Sequence, residues 1–142
     1  MSNLQKSYYQ SLLLSINQKI TNGKSNIAKP ILILAIIDLI DEGHIIGNQI
    51  HYDEKLIRTY DAIFKMYSGT MTKVQYPFYY MRNDDFYSLK GKADKKTPSG
   101  KYMRENIEYA YLDDGLWELF QDKETRDEFR LLIINHYLKE VK

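Results

Sequence analysis

The distribution of apolar residues in the first third of the chain predicts two helices. Apolar side chains recur at close to a 3.6-residue period over residues 4–20, which predicts an amphipathic helix. Residues 30–42 are apolar on almost every side, a pattern typical of a helix buried at the centre of a domain. Pro30 suits the first position of that helix, and Gly43 suits its C-terminal cap.

The rest of the chain alternates short strand patterns with helical ones. Residues 44–52, with a Gly-Asn turn, predict a short hairpin or a β corner, and Asp53 is placed to cap a helix over residues 54–67. A second hairpin is predicted for residues 78–81 and 86–89, around the polar turn between them. Further helices are predicted over residues 102–111, over residues 113–120 and after Asp122.

These elements predict an α+β fold. We expect a mostly helical single domain spanning residues 1–142, with a buried central helix and one or two small antiparallel β-hairpins. A length of 142 residues and a hydrophobic content of 44% suffice for one compact domain with its own core.

Several classes of protein are excluded by composition. The longest apolar run, residues 30–37, is far shorter than the roughly 20 residues that a membrane span requires. The N-terminus is polar and lacks the apolar segment of a signal peptide. The chain has no cysteine, which excludes disulfides and thiolate metal sites and fits a reducing compartment. We therefore expect a cytoplasmic protein.

Charge is distributed unevenly along the chain although the net charge is only +1. Residues 55–104 contain 11 basic and 4 acidic side chains, a net charge of +7, whereas the remainder has 9 basic and 15 acidic side chains, a net charge of −6. Such a molecule would present a basic face to a polyanion and turn its acidic face away. The alternative is that the lysines lie in an exposed loop and serve only to keep the protein soluble.

Residues 75–89 hold six aromatic side chains around a single arginine, Arg82, and a lysine-rich loop over residues 90–101 follows. Aromatic faces beside cations are typical of nucleic-acid binding, since bases stack on rings while phosphates pair with Lys and Arg. The same alternation of aromatics also suits a half-buried strand, so a purely structural role is the alternative.

The sequence contains no recognisable catalytic or cofactor site. His44, His51 and His136 are far apart and lack partners at the spacing of metal ligands. No glycine-rich phosphate loop and no nucleophile elbow is present. We expect no enzyme activity from this chain, and neither a metal nor an organic cofactor is implied.

Four segments, taken together, resemble one family. Residues 29–40 (KPILILAIIDLI) are similar to the Lys-Pro-Leu-Leu-Leu helix near the start of many HNH-type restriction endonucleases. Residues 76–87 (YPFYYMRNDDFY) resemble their Pro-Phe-Trp-His-Leu-Arg-x-Asp-Gly-Leu-Trp strand pair. Two positions depart from this motif: Tyr80 stands where many members have His, and Asp85 stands where they often have Gly. Residues 112–119 (LDDGLWEL) and 131–138 (LLIINHYL) resemble the end of the same domain.

This resemblance implies a DNA-recognition domain. In that family the N-terminal domain is, or resembles, a sulfur-binding domain that recognises phosphorothioate-modified DNA, and an HNH nuclease domain follows it. The resemblance here covers the recognition domain and not the nuclease, which another segment or partner would supply. Sulfur is larger, more polarisable and less strongly hydrated than oxygen, so an apolar pocket beside cations suits it.

The resemblance and the charge pattern together indicate the site residues. Pro98, Met103 and Tyr102 are expected to form the pocket for the modified phosphate. For Arg82 the alternative is an ion pair with Asp84 or Asp85. The residues expected to contact DNA are Lys73, Tyr79, Arg82, Lys92, Lys95, Lys96, Lys101, Arg104 and Asn106.

The sequence thus predicts a double-stranded DNA-binding module of a restriction or defence system that recognises modified DNA. A protein-interaction or assembly domain, with the aromatic hairpin as its binding surface, is the alternative from a different class. A nuclease with an atypical site is a third possibility. Salt dependence separates the first two, because DNA binding weakens steeply with added salt.

Overall fold

The structure is a computed structural model that describes residues 3–18, 20–21, 24–68, 70–94 and 97–138. A 3-10 turn (Met81–Asn83) follows the helix that ends at Tyr80, and a π-helical turn (Ile134–Leu138) follows the helix that ends at Ile133. The strands form two two-stranded antiparallel sheets. The helices are α1 (Asn3–Leu13), α2 (Ala28–Asp41), α3 (Glu54–Tyr67), α4 (Gln75–Tyr80), α5 (Gly100–Asn106), α6 (Asp114–Leu119) and α7 (Lys123–Ile133). The strands are β1 (Ile20–Thr21), β2 (Lys24–Ser25), β3 (Tyr87–Gly91) and β4 (Ile107–Leu112).

The predicted α+β, mostly helical fold is confirmed, with α2 at its centre. Eleven of the 14 residues of α2 are buried, and the helix packs against α3, α4 and α7. A helix apolar on all sides needs such neighbours on all sides, because each exposed apolar side chain forgoes its transfer free energy. Gly43 follows the helix with a φ of +79°, the left-handed conformation predicted for its C-terminal cap.

Local capping fixes where three helices begin. The Asp53 carboxylate accepts a hydrogen bond from the Leu56 backbone N–H at 2.9 Å, and the Asp122 carboxylate accepts one from the Thr125 N–H at 2.9 Å. Both caps were predicted from the sequence and are confirmed. The Ser99 hydroxyl caps α5 in the same way.

The hairpin predicted for residues 78–81 and 86–89 is wrong. Residues 75–80 instead form α4, in which Pro77 lies in the first turn, where its missing N–H costs nothing. Phe78 and Tyr79 are buried in the core beside α2, so tertiary packing overrides the β-propensity of the aromatic residues. Strand β3 then pairs with β4 rather than with residues 78–81.

The helix predicted over residues 102–111 is also wrong beyond Asn106. Residues 107–112 form β4, in which the buried Ala110 and Leu112 flank the exposed Tyr111 as the pleat requires. The β3–β4 register shifts at Gly91, whose φ is +135°. A Cβ at Gly91 would lie 2.2 Å from the Asn106 carbonyl oxygen, so glycine is needed where α5 meets the sheet.

The end of the first helix and the conformation of residues 44–52 also differ from prediction. Helix α1 ends at Leu13 instead of continuing to residue 20. Residues 44–52 form a loop and not a hairpin, because Ile50 bridges to Ala110 on β4 and so ties the loop to the sheet. The Asn48 side chain strengthens this link by bonding both backbone groups of Leu112.

Candidate nucleic-acid interface

Arg82 is held in place by aromatic and backbone contacts. Its guanidinium carbon lies 4.0 Å from the centre of the Tyr79 ring and 5.9 Å from that of Tyr80, and Nη1 donates to the Tyr79 carbonyl oxygen at 3.1 Å. Arg82 forms no ion pair with any carboxylate among the described residues, so the predicted alternative of a pair with Asp84 or Asp85 is wrong. A planar cation stacked on a ring keeps its charge and its remaining N–H groups available.

Tyr79 supports Arg82 from below and does not reach solvent. Its exposed fraction is 0%, so the prediction that this ring contacts DNA directly is wrong for this conformation. On the short helix α4 the ring points into the core and leaves only the arginine above it accessible. The centre of its ring lies 6.0 Å from that of the Tyr102 ring in an edge-to-face arrangement, and this contact connects α4 to α5.

Tyr102 organises the loop between β3 and α5. Its hydroxyl accepts a hydrogen bond from the Asp94 backbone N–H at 3.1 Å and lies within donating distance of the Lys92 carbonyl and the Asp94 carboxylate. Asn106 contributes at the other end of α5, since its side chain donates to the Tyr102 carbonyl oxygen at 3.0 Å. Tyr102 and Asn106 therefore position the neighbouring lysines rather than acting as isolated surface groups.

Basic side chains lie on and next to this loop; those of Lys90, Lys92, Lys101 and Arg104 are exposed, and that of Arg82 is partly exposed. We define the cation strip as Arg82 together with Lys90, Lys92, Lys101 and Arg104. Within the described residues only Lys92 pairs with a carboxylate, that of Asp94 at 3.7 Å, and both side chains are largely exposed. Such a pair contributes little. Lys73, also predicted to contact DNA, is exposed just before α4, and the predicted contacts Lys95 and Lys96 lie outside the described residues.

The predicted apolar pocket for a modified phosphate is not open here. Met103 is completely buried and Pro98 is buried as well, so neither presents its side chain to a ligand in this conformation. Met103 lies on the inner face of α5, where an apolar side chain packs against the core instead of facing solvent. Of the three predicted pocket residues, only the partly exposed Tyr102 reaches the surface.

A cleft that sequence reasoning missed lies on the other side of α4. Its volume is about 570 Å³. Tyr76 and Tyr80, one helical turn apart, line it, together with Asn17 and Asn83. An i, i+4 tyrosine pair would have indicated this wall, had the segment been predicted as a helix rather than a hairpin.

A buried ion pair lies beside this cleft, which Lys29 lines. Lys29 Nζ lies 2.7 Å from Asp84 Oδ2, and the two side chains are only 14% and 4% exposed. Asp84 also accepts a hydrogen bond from the Asn17 backbone N–H at 2.9 Å. The pair therefore joins the start of α2 to the segment after α4.

The opposite side of α2 carries a network of paired charges. Arg126 Nε lies 2.6 Å from Asp41, and Arg130 bonds Asp38 at 2.9 Å as well as Asp41 and Asp127. Burial by itself would raise the pKa of the Asp41 carboxyl, but hydrogen bonds from Arg126 and Arg130 outweigh burial and hold that pKa below its ordinary value. Arg126 and Arg130 therefore stabilise the packing of α7 against α2.

The histidines have structural contacts. His44 Nε2 lies 3.0 Å from the Asp53 carboxylate, and His51 Nδ1 lies 3.2 Å from the Glu108 carbonyl oxygen.

In the part of the chain that the structure describes, no group of three or more His, Asp or Glu side chains could hold a metal ion. Nor does any helix there combine the length and apolar character needed to cross a membrane.

No protein-family model matches the chain, and no curated protein matches it significantly. The resemblance to HNH-type restriction endonucleases therefore depends on the sequence motifs alone and stays a prediction.

Proposed function

We propose that this chain is a double-stranded DNA-binding module of a restriction or defence system and acts in the cytoplasm. One observation carries the proposal: the cation strip has four exposed basic side chains along one loop and the nearby helix α5, with a single weak carboxylate partner among the described residues. Arg82, the fifth, is connected to this loop through the contact between the Tyr79 and Tyr102 rings. Charges left unpaired on one face repel each other, so they favour a polyanionic ligand. Lys73 adds an exposed basic side chain just before α4.

Docking would follow from phosphate contacts. Each Lys or Arg that neutralises a phosphate releases counterions, which makes binding strong at low salt and weak at high salt. Arg82 differs from the lysines because the Tyr79 ring and carbonyl already fix its orientation. Little conformational entropy remains to be lost when its planar fork binds two acceptors at once.

Recognition of a phosphorothioate is the finer part of the proposal and is supported only by the family resemblance. Because Met103 and Pro98 are buried, we assign the first contact with a modified phosphate to the partly exposed Tyr102 ring and the Arg82 guanidinium. An aromatic ring offers the polarisable, weakly hydrated surface that sulfur prefers to a lysine ammonium. Cleavage, where it follows recognition, is assigned to a separate nuclease domain or partner, and this chain is proposed to bind without catalysis.

The protein-interaction alternative loses its predicted surface. It required an exposed aromatic hairpin, but Phe78, Tyr79, Phe86 and Tyr87 are all buried. Only Tyr76 and Tyr80 of the six aromatic residues are partly exposed, and they line the cleft.

The test is an equilibrium titration with one short duplex in unmodified and phosphorothioate forms, each at two salt concentrations. Arg82→Ala is measured alongside Arg58→Ala, which removes an exposed arginine on α3 and serves as the matched control. We expect Arg82→Ala to weaken binding about tenfold or more and Arg58→Ala to leave it within twofold.

Three results are informative. Tighter binding of the sulfur form, weakened by salt and by Arg82→Ala, supports modification reading. Equal binding of both forms with the same salt dependence supports DNA binding and rejects sulfur recognition. Absence of binding to either duplex rejects the proposed function.

A further inference from the structure

The cleft beside α4 has the size and shape of a ligand site. Its volume of about 570 Å³ falls within the range of small-molecule and cofactor pockets, roughly 300–1,000 Å³. It lies between the start of α2, the segment that connects α1 to β1, and the outer face of α4. None of its lining side chains belongs to the cation strip.

The walls of the cleft are fixed by internal hydrogen bonds. Asn26 accepts from the Ala28 backbone N–H at 2.7 Å and donates to the Thr72 hydroxyl at 3.1 Å, while Gln18 donates to the Asn26 carbonyl oxygen at 2.9 Å. The buried Tyr60 hydroxyl donates to the Thr72 carbonyl oxygen at 2.7 Å from below. The cleft is therefore preformed, which reduces the entropy that a ligand must lose on binding.

The side-chain amides of two cleft residues have no partner in the described part of the chain. The side-chain amides of Asn17 and Asn83 make no internal hydrogen bond there, and each offers one acceptor and two donors. Lys29 uses one of its three N–H donors on Asp84, so the rest of its ammonium is available at a fixed position. Tyr76 and Tyr80 add aromatic surface to the same space.

This set of groups suits a planar, uncharged heterocycle. The positive charge of Lys29 is already compensated by Asp84 at 2.7 Å, and no other basic side chain lines the cleft among the described residues. The described part of the cleft therefore lacks the excess cation that a phosphate or carboxylate would need. Amide donor–acceptor pairs match the hydrogen-bonding edges of nucleobases, and tyrosine rings provide stacking faces. Extruded bases are recognised in this manner, by contacts to their edges and by stacking between apolar or aromatic side chains.

We propose that the cleft holds a single nucleobase extruded from the bound duplex, an inference that rests on the proposed DNA-binding function. The position supports this source, because Tyr80 lines the cleft and its ring centre is 5.9 Å from the Arg82 guanidinium carbon. Asn83 lies directly after Arg82 in the chain and faces the cleft. A duplex held at Arg82 would therefore lie next to the cleft.

The test compares a fully matched duplex with the same duplex carrying one unpaired base. Extrusion of a paired base costs unstacking and unpairing energy that an unpaired base does not incur, so we expect the second duplex to bind at least about tenfold more tightly. The double variant Tyr76→Leu with Asn83→Ala is expected to lose this preference and to keep its affinity for the matched duplex within about threefold.

Two controls separate stacking from general damage. Tyr76→Phe keeps the ring and is expected to retain the preference. Tyr8→Leu with Asn135→Ala removes the same residue types at exposed positions on α1 and after α7, and it is expected to behave like the unaltered protein. Thermal denaturation of every variant confirms that it is folded.

The outcomes distinguish this inference from the proposed function. Equal affinity for the two duplexes overturns the base pocket and leaves DNA binding standing. If neither duplex binds but one of the four free nucleosides binds, and the double variant abolishes that binding, the cleft is a nucleobase site, whereas extrusion from a duplex and the DNA-binding proposal are both overturned. If neither the duplexes nor the nucleosides bind, both are overturned.

Discussion

Two groups of basic side chains in this molecule have opposite surroundings. On and around α2, Lys29, Arg126 and Arg130 each lie within 3 Å of a carboxylate. In the cation strip, the exposed Lys90, Lys101 and Arg104 have no described carboxylate partner, and the pair between Lys92 and Asp94 is exposed and long. The paired group connects distant elements of the fold, whereas the unpaired group follows one loop.

The difference separates stabilising charges from charges available for binding. A cation that already bonds a carboxylate has exchanged hydration for that partner. Its removal leaves a buried or half-buried anion without a counterion. A cation in the strip keeps its hydration and contributes almost nothing to the folded state. Substitutions in the first group should therefore lower the free energy of unfolding, and substitutions in the second should change binding instead.

The largest effect is expected at Asp84. Asp84→Asn leaves the Lys29 ammonium without its counterion in a nearly closed site, and we expect the free energy of unfolding to fall by about 3 kcal/mol. Urea denaturation measures the loss. The neighbouring Asp85 is exposed, so Asp85→Asn is the matched control and should change stability by less than about 0.5 kcal/mol. Equal losses from the two variants would show that the buried pair has no special role.

The next largest effect should appear in binding. Replacement of Lys92, Lys101 and Arg104 by Gln removes three phosphate contacts and should weaken duplex binding about 100-fold near physiological salt, with little change in stability. A titration over several salt concentrations should also show a slope smaller by about 2.7.

The control for this variant carries the same change of net charge elsewhere. Arg58, Lys65 and Lys123 are exposed on α3 and α7, and their replacement by Gln should leave the affinity within about threefold. A loss as large as that of the strip variant would mean that net charge alone, and not its position, governs association.

A smaller loss of stability is expected at Arg130. Arg130→Met leaves Asp38 and Asp41 facing each other with only Arg126 nearby, and we expect the free energy of unfolding to fall by about 2 kcal/mol. Duplex affinity should not change, since α7 lies outside the strip. A stable variant with weakened DNA binding would reverse the assignment of the two groups.

The sequence predicted the paired and unpaired regions to different degrees. Helix α2 was predictable because an all-round apolar pattern has one stable solution, and the Asp53 and Asp122 caps depend only on residues within one turn. The high density of cations in residues 90–104 was also visible. Their lack of partners was not, because it depends on which distant carboxylates the fold brings near.

The orientation of the aromatic side chains could not be predicted from the pattern. On a strand, successive residues would alternate between core and solvent, but on α4 Phe78 and Tyr79 point inward while Tyr76 and Tyr80 line the cleft. Burial against α2 decided between the two elements, and this is a tertiary effect that local propensity does not contain. The cleft was missed for the same reason, since its walls come from residues between 17 and 83.

The smallest effect is expected in the pH dependence of stability. Because the folded-state pKa of Asp41 is lowered, its contribution is fully present above the unfolded-state pKa near 4 and is lost as the pH falls through the lower folded-state value. Urea denaturation from pH 6 down to pH 3 should therefore show a steeper loss for the unaltered protein than for Asp41→Asn, which cannot titrate at this position. The slopes are compared rather than the absolute stabilities, because the amide also weakens the hydrogen bonds from Arg126 and Arg130. Parallel slopes would mean that the paired network contributes no charge-dependent stability, and the contrast between paired and unpaired cations would then lose its energetic basis.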